Sequence, residues 1–326
     1  MRVFITGDAG FIGRNLPASF RARGHSVVNS SRVRSMRETD RGEPCVHLNS
    51  KDQWANFFEA LDINLVVHNA AIVGTDVVAL NQRESTLTNV MGTHNICQAA
   101  KVVGIPVCYM GTSVIYDTPS YQDASITETS TIAPSTFYGA HKLAGEHIVK
   151  STVKDWLIMR PLFAYGGVGD MNSLVAKTFY AHKKRKDRID MFLDPTKQKD
   201  YMHVEDFCDA VALACDLGLW GNDYNISAEE PVSTWKIIEK MSGVCGQDLE
   251  YMIEWHPDTD YLGNHILSSQ KFRLATGWEP RYTFDRGLIK SWRSILSAGD
   301  GYNPLTHLEA AQKKGIDLHQ FFPKKV

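Results

Sequence analysis

The chain opens on a feature that leaves few folds available to it. The short apolar segment 2–6 runs directly into Thr6-Gly7-Asp8-Ala9-Gly10-Phe11-Ile12-Gly13. Glycines here permit a tight turn and a close approach of backbone to phosphate. The helix that follows presents unpaired N–H groups and the positive end of its dipole. A glycine pattern alone says little. One that follows a strand and opens a helix predicts a dinucleotide-binding βα turn. Gly7, Gly10, Phe11, Ile12 and Gly13 are the expected contacts.

The first half of the chain repeats this unit. Helices are expected over 11–23, 54–61, 89–103 and 137–154, and strands over 26–28, 64–67, 107–110 and 157–159. Uniformly apolar strands alternating with helices predict an α/β fold, a doubly wound parallel sheet covered on both faces. Pro17 falls inside the first helix, close enough to its N-terminal turn for the missing N–H to matter little. The second half is less regular, with helices expected over 174–188, 204–217, 234–243 and 284–297, and a tail from 299 of weak periodicity.

Composition narrows the function classes. Lys plus Arg number 35 and Asp plus Glu 37, a formal charge of −2, so neither nucleic acid nor an anionic membrane is an expected partner. No apolar run reaches about 18 residues, the length that spans a bilayer. Val3-Phe4-Ile5 is too short for a secretory core, and a cytoplasmic location is expected. The six cysteines form no C-x-x-C pair and read as buried free thiols; the 12 histidines form no H-x-x-x-H pair, so no metal site is expected. Lys183-Lys184-Arg185-Lys186 reads as a solvated helix end, and Trp235, Trp278 and Trp292 as core anchors.

Two further patterns bear on chemistry. A carboxylate about 20 residues past the glycine loop would bind a ribose 2′-hydroxyl. The chain has Asn29-Ser30-Ser31-Arg32 there, and Ser31 and Arg32 suit a 2′-phosphate, which favours NADP(H) and leaves NAD(H) possible. Tyr138 and Lys142 stand four apart at a helix start and share a face. An ammonium beside a phenol favours the phenolate and equips the tyrosine for acid–base work. Thr112 and Ser113 follow a strand, at the end of the sheet where ligands of such folds bind, and supply a hydroxyl to polarise a substrate oxygen.

Taken in order, these motifs resemble the extended short-chain dehydrogenase/reductase family, in its NAD(P)-dependent nucleotide-sugar epimerase, dehydratase and reductase branch. The likeness covers about residues 1–297. It rests on the Thr6–Gly13 loop, His68-Asn69-Ala70-Ala71, Asn89-Val90-Met91-Gly92-Thr93, Gly111-Thr112-Ser113-Val114-Ile115-Tyr116, Tyr138 with Lys142, Arg160-Pro161, Lys199-Asp200-Tyr201-Met202-His203-Val204-Glu205-Asp206 and Gly277-Trp278-Glu279-Pro280. It implies a Rossmann-type sheet over 1–165, rejoined by 204–225. A smaller C-terminal substrate-binding lobe would be built from 166–203 and 226–298, with 299–326 as an extension.

By the same resemblance Thr112, four residues before Tyr116, is the catalytic hydroxyl, with Ser113 as the fallback. Tyr138 is the acid/base and Lys142 its partner. Asn69, Ala70, Ala71, Asn89 and Pro161 surround the cofactor. Asn172, Lys199 and His256 hold the substrate diphosphate, and members often pair as homodimers. Family dehydratases carry Asp-Glu after the hydroxyl, where this chain has Ser113 and Val114. Hydride chemistry at one sugar carbon remains. The leading expectation is an NADPH-dependent 4-keto reductase of a nucleotide sugar; the alternative is a 4-epimerase, and the third a non-catalytic NADP-sensing protein.

Overall fold

The computed structural model describes residues 1–29, 51–116, 124–166, 169–170, 173–260 and 262–298. The N-terminal half runs β1 (Arg2–Thr6), α1 (Phe11–Ala22), β2 (Ser26–Asn29), α2 (Lys51–Ala60), β3 (Leu65–His68), α3 (Thr75–Leu80), α4 (Gln82–Thr86), α5 (Gly92–Val103), β4 (Val107–Met110), α6 (Phe137–Thr152) and β5 (Trp156–Pro161). These strands and β9 (Asn222–Ile226) form one six-stranded parallel sheet in the order β2-β1-β3-β4-β5-β9. The chain leaves β1 for β2 on one side and returns to β3 on the other. That reversal opens a crevice at the carboxyl ends of β1 and β3, where Thr6 pairs with His68.

Side chains alternate across the sheet, and both sides are buried. Val3, Ile5, Leu65, Val67, Cys108, Met110, Leu157 and Met159 enter one cluster with Leu16 and Phe20 of α1. Their neighbours Phe4, Val66, Val107, Tyr109 and Ile158 enter a second with Trp54 and Phe58 of α2, Ile96 and Cys97 of α5 and Val149 of α6. A period of two with apolar residues on both faces is what a sheet between two helical layers requires.

The remaining chain runs β6 (Phe163–Tyr165), α7 (Leu174–Lys183), β7 (Ile189–Met191), β8 (Gln198–His203), α8 (Val204–Asp216), then, after β9, β10 (Pro231–Ser233), α9 (Thr234–Cys245), β11 (Ile253–Trp255), α10 (Gln270–Thr276) and α11 (Phe284–Ser297). Short sheets β10-β8-β6 and β11-β7 join it, with a separate cluster around Phe179, Ile237, Met241 and Leu288. The chain returns twice to the main sheet. Phe207 and Val211 of α8 pack there, and so do Phe272 of α10 and Trp278.

Several expectations need adjustment. The expected helix 89–103 is a wide π turn over Leu87–Met91 followed by α5. The expected helix 174–188 ends at Lys183, with Arg185 turned into the left-handed region at φ 53°. Lys183 is not solvated: its ammonium caps the end of α11, donating to the carbonyls of Ile295 at 2.7 Å and Ala298 at 2.8 Å. Pro17 lies mid-helix rather than near the first turn, buried beside Leu16. Trp235 is 43% exposed and is no core anchor; its indole donates to Glu250 at 3.2 Å. Cys97, Cys108, Cys208 and Cys215 are buried free thiols, and burial pushes the Cys97 thiol up to about 12. Among the described residues no helix is long and apolar enough to cross a membrane.

Candidate active site

The glycine loop locks three elements together. Gly7 adopts φ +67°, and a Cβ there would stand 2.7 Å from Ala70 Cα. A Cβ on Gly13 would stand 2.1 Å from the Gly7 carbonyl oxygen, so α1 can lie on the loop only without one. Gly10 caps α1 with no side-chain acceptor, leaving first-turn N–H groups for a ligand. Phe11 and Ile12, half-buried, root that turn in the core. A shallow cradle at an uncapped helix start fits a dinucleotide pyrophosphate.

The loop after β3 is held at both ends. Thr6 Oγ1 accepts the N–H groups of Asn69 and Ala70 at 3.1 and 3.0 Å, and Asn69 Nδ2 donates to the Gly7 carbonyl at 3.2 Å. Ala71 is half-buried beside them. Asn89, 1% exposed, accepts the Ile72 N–H at 2.7 Å and donates to its carbonyl at 2.8 Å.

Thr136 starts α6 by accepting the Gly139 N–H at 3.1 Å. Tyr138, half-buried, and Lys142 follow one turn apart. Lys142 is buried and donates to the Met110 carbonyl at 2.7 Å, at the end of β4. Burial lowers its ammonium to about 8 against the opposing pull of Glu146. Thr112 stands two residues beyond Met110. Its Oγ1 accepts the Val114 N–H at 3.4 Å, and Ser113 is buried beside it. The end of β4 thus gathers Thr112, Ser113 and Lys142, with Tyr138 one turn above. Pro161 closes β5 opposite Ile226.

Beneath this group lies a network that the sequence reading missed. Glu146, one turn after Lys142, takes two hydrogen bonds from Arg160, from Nε at 2.9 Å and Nη2 at 2.7 Å. Arg160 also donates to Tyr116 Oη at 2.8 Å and Asp223 at 2.9 Å. Tyr116 in turn donates to Asn225 at 2.8 Å. Tyr138, Lys142 and Glu146 at successive four-residue steps were the available signal.

The expected diphosphate contacts fare differently. Lys199 has zero exposure, and its ammonium is held by Asp260 at 3.0 Å and the Gly263 carbonyl at 2.8 Å. It offers no cation to a substrate as it stands, because a buried ammonium needs its own carboxylate. His256 is paired with Asp190 at 2.9 Å and stacked on Phe192. Arg273 lies between Glu229 and Glu279. Ser31, Arg32 and Asn172 lie outside the described residues. The Lys177 ammonium of α7 makes no hydrogen bond or ion pair among the described residues, although Asp76 and Asp170 oppose the lowering that burial imposes on it.

The model of the NAD dependent epimerase/dehydratase family matches residues 3–227. The chain belongs to that family. A probable low-salt glycan biosynthesis reductase of Haloferax volcanii is 27% identical over 255 residues, covering 76% of this chain and 81% of that protein. The UDP-glucose 4-epimerase of Thermus thermophilus in complex with NAD superposes with a TM-score of 0.76 at 23% identity, covering 92% of this chain and all of that one. RMD of Pseudomonas aeruginosa complexed with NADPH gives 0.76 at 22% identity, over 91% and 99% of the two chains. The family member is an enzyme with an α/β fold built on a parallel sheet.

Proposed function

We propose that this enzyme reduces a keto group on a nucleotide-activated sugar and favours NADPH over NADH. The observation that carries the reading is the end of β4, where buried Lys142 grips the Met110 carbonyl one helical turn from Tyr138 and beside the Thr112 hydroxyl. A bound nicotinamide supplies hydride chemistry at a carbonyl or carbinol carbon. The protein's part is the proton. Tyr138 gives its hydroxyl proton to the substrate oxygen, and the Lys142 ammonium steadies the phenolate left behind. Thr112 Oγ1, an acceptor for Val114 N–H, keeps its own proton to donate to the same oxygen.

Ser113 and Val114 place no carboxylate in that turn. With no second acid or base there, simple reduction is favoured over loss of water. The likeness to a probable glycan biosynthesis reductase supports reduction. The absence of a carboxylate in Asn29-Ser30-Ser31-Arg32 supports NADPH. With Lys199 consumed by Asp260, Lys177 is the better candidate to meet a substrate phosphate.

The test is a titration with NADPH and with NADH followed by tryptophan fluorescence, after mass spectrometry for co-purified nucleotide. NADPH should bind at least about tenfold tighter, roughly 1.4 kcal/mol, and leave freely. NAD that co-purifies and does not exchange would move the assignment to a 4-epimerase, which must retain its cofactor to return the hydride.

A further inference from the structure

The hydrogen bonds around His68 are fixed atom by atom. Thr6 Oγ1 accepts two backbone N–H groups, from Asn69 and Ala70. Its lone pairs are then used, and its own proton goes to His68 Nδ1 at 2.8 Å. His68 therefore carries its proton on Nε2 and donates it to Thr93 Oγ1 at 3.0 Å. Thr93 passes its proton to the Asn89 carbonyl at 2.7 Å. Thr6, His68, Thr93 and Asn89 are each 1% exposed. Burial, aided by the Lys142 charge, lowers the imidazole to about 3 and keeps it neutral. A doubly protonated ring would present N–H to Thr6 and break the chain.

This chain has one direction, from the end of β1 through the end of β3 to the turn before α5. Its two ends are the two grips on loop 69–72: the Thr6 hydroxyl at Asn69 and Ala70, and Asn89 at Ile72. The same loop abuts Gly7. We propose that His68 is a positioning residue of the nucleotide cradle. Its Nε2–H tautomer joins the Thr6 hydroxyl and the Asn89 turn into one unit that holds loop 69–72 against the glycine loop. The role rests on reading that cradle as the nucleotide site.

The test compares Thr6→Val, Thr93→Val and the double variant, isosteric changes that leave the core filled, with NADPH and NADH as probes. Thr6→Val should weaken nucleotide binding about tenfold and Thr93→Val about threefold. The double variant should be no weaker than Thr6→Val, because one break already severs the chain. Losses that multiply mean independent sites and overturn the proposal. Nitrogen NMR of the imidazole supplies the second readout: a proton on Nε2, none on Nδ1, and no titration between pH 5 and 8. An Nδ1–H ring or a titrating one overturns the proposal whether or not nucleotide binds. Wild-type protein that keeps the tautomer but binds neither nucleotide overturns the cradle reading, and this role with it, while leaving the hydrogen-bond chain standing.

Discussion

Lys142 is lowered to about 8 by burial while Glu146 opposes the shift, so its charge changes within an accessible pH range. Below that value the ammonium is present and favours the Tyr138 phenolate; above it the ammonium is lost. The value of kcat/KM should therefore fall as pH rises through about 8. Lys142→Met should remove that limb and lower the rate about 10²–10⁴-fold, the range of acid–base assistance. Tyr138→Phe should abolish turnover and leave nucleotide binding intact; turnover retained would move the proton to another group. That Tyr138 and Lys142 lie one turn apart on one helix was legible because their spacing is local. The pairing of Lys199 was not legible because a sequence shows a charge without its partner, and Asp260 lies 61 residues away.

Among the elements, α6, β5 and β9 are joined below the site by Arg160, which meets Glu146, Asp223 and Tyr116. A buried cation that satisfies several partners is destabilising to remove, since the carboxylates stay behind unpaired. Arg160→Met should lower stability by about 3–5 kcal/mol in urea unfolding. Burial would raise the Asp223 carboxyl, but Arg160, Lys150 and Lys271 outweigh it and hold it at about 2. A depressed carboxyl stabilises the fold above its unfolded value, near 3.9, and that contribution fades as pH falls toward 2. Between pH 5 and 2 the wild type should lose roughly 2 kcal/mol more than Asp223→Asn. Long periodic helices such as Phe284–Ser297 were legible from sequence. Three-residue strands such as β6, β7, β10 and β11 were not, because their partners are set by distant register rather than local pattern. The π turn at Leu87–Met91 carries Asn89, whose side chain is spent on Ile72, a tertiary demand that no helical periodicity reveals.

For the whole molecule, the parallel sheet was legible because its inner strands β1, β3, β4 and β5 are apolar on both faces, which leaves helices as the cover. The second return of the chain to that sheet, through Phe272 and Trp278, was not, since an aromatic residue does not state which core it enters. What the two helical layers leave uncovered bears on assembly. On the outer face, α5 and α6 pack together, and Met91 at 46% and Val102 at 71% remain exposed. Eleven residues apart, they fall close to one line along the helix axis with Asn95 and Gln98 between them, and Leu87 and Phe137 are exposed too, at 36% and 53%. We predict that this partly apolar face is an association surface. A second copy related by a two-fold axis would bring this row against itself, the self-complementary arrangement of a closed dimer. The expected species in solution is a homodimer by light scattering. Met91→Glu with Val102→Glu should yield a monomer of unchanged circular dichroism, because paired carboxylates across the axis would repel each other in a desolvated seam. A wild-type protein that scatters as a monomer at micromolar concentration would instead leave these residues as ordinary surface apolar groups and place the site wholly within one chain.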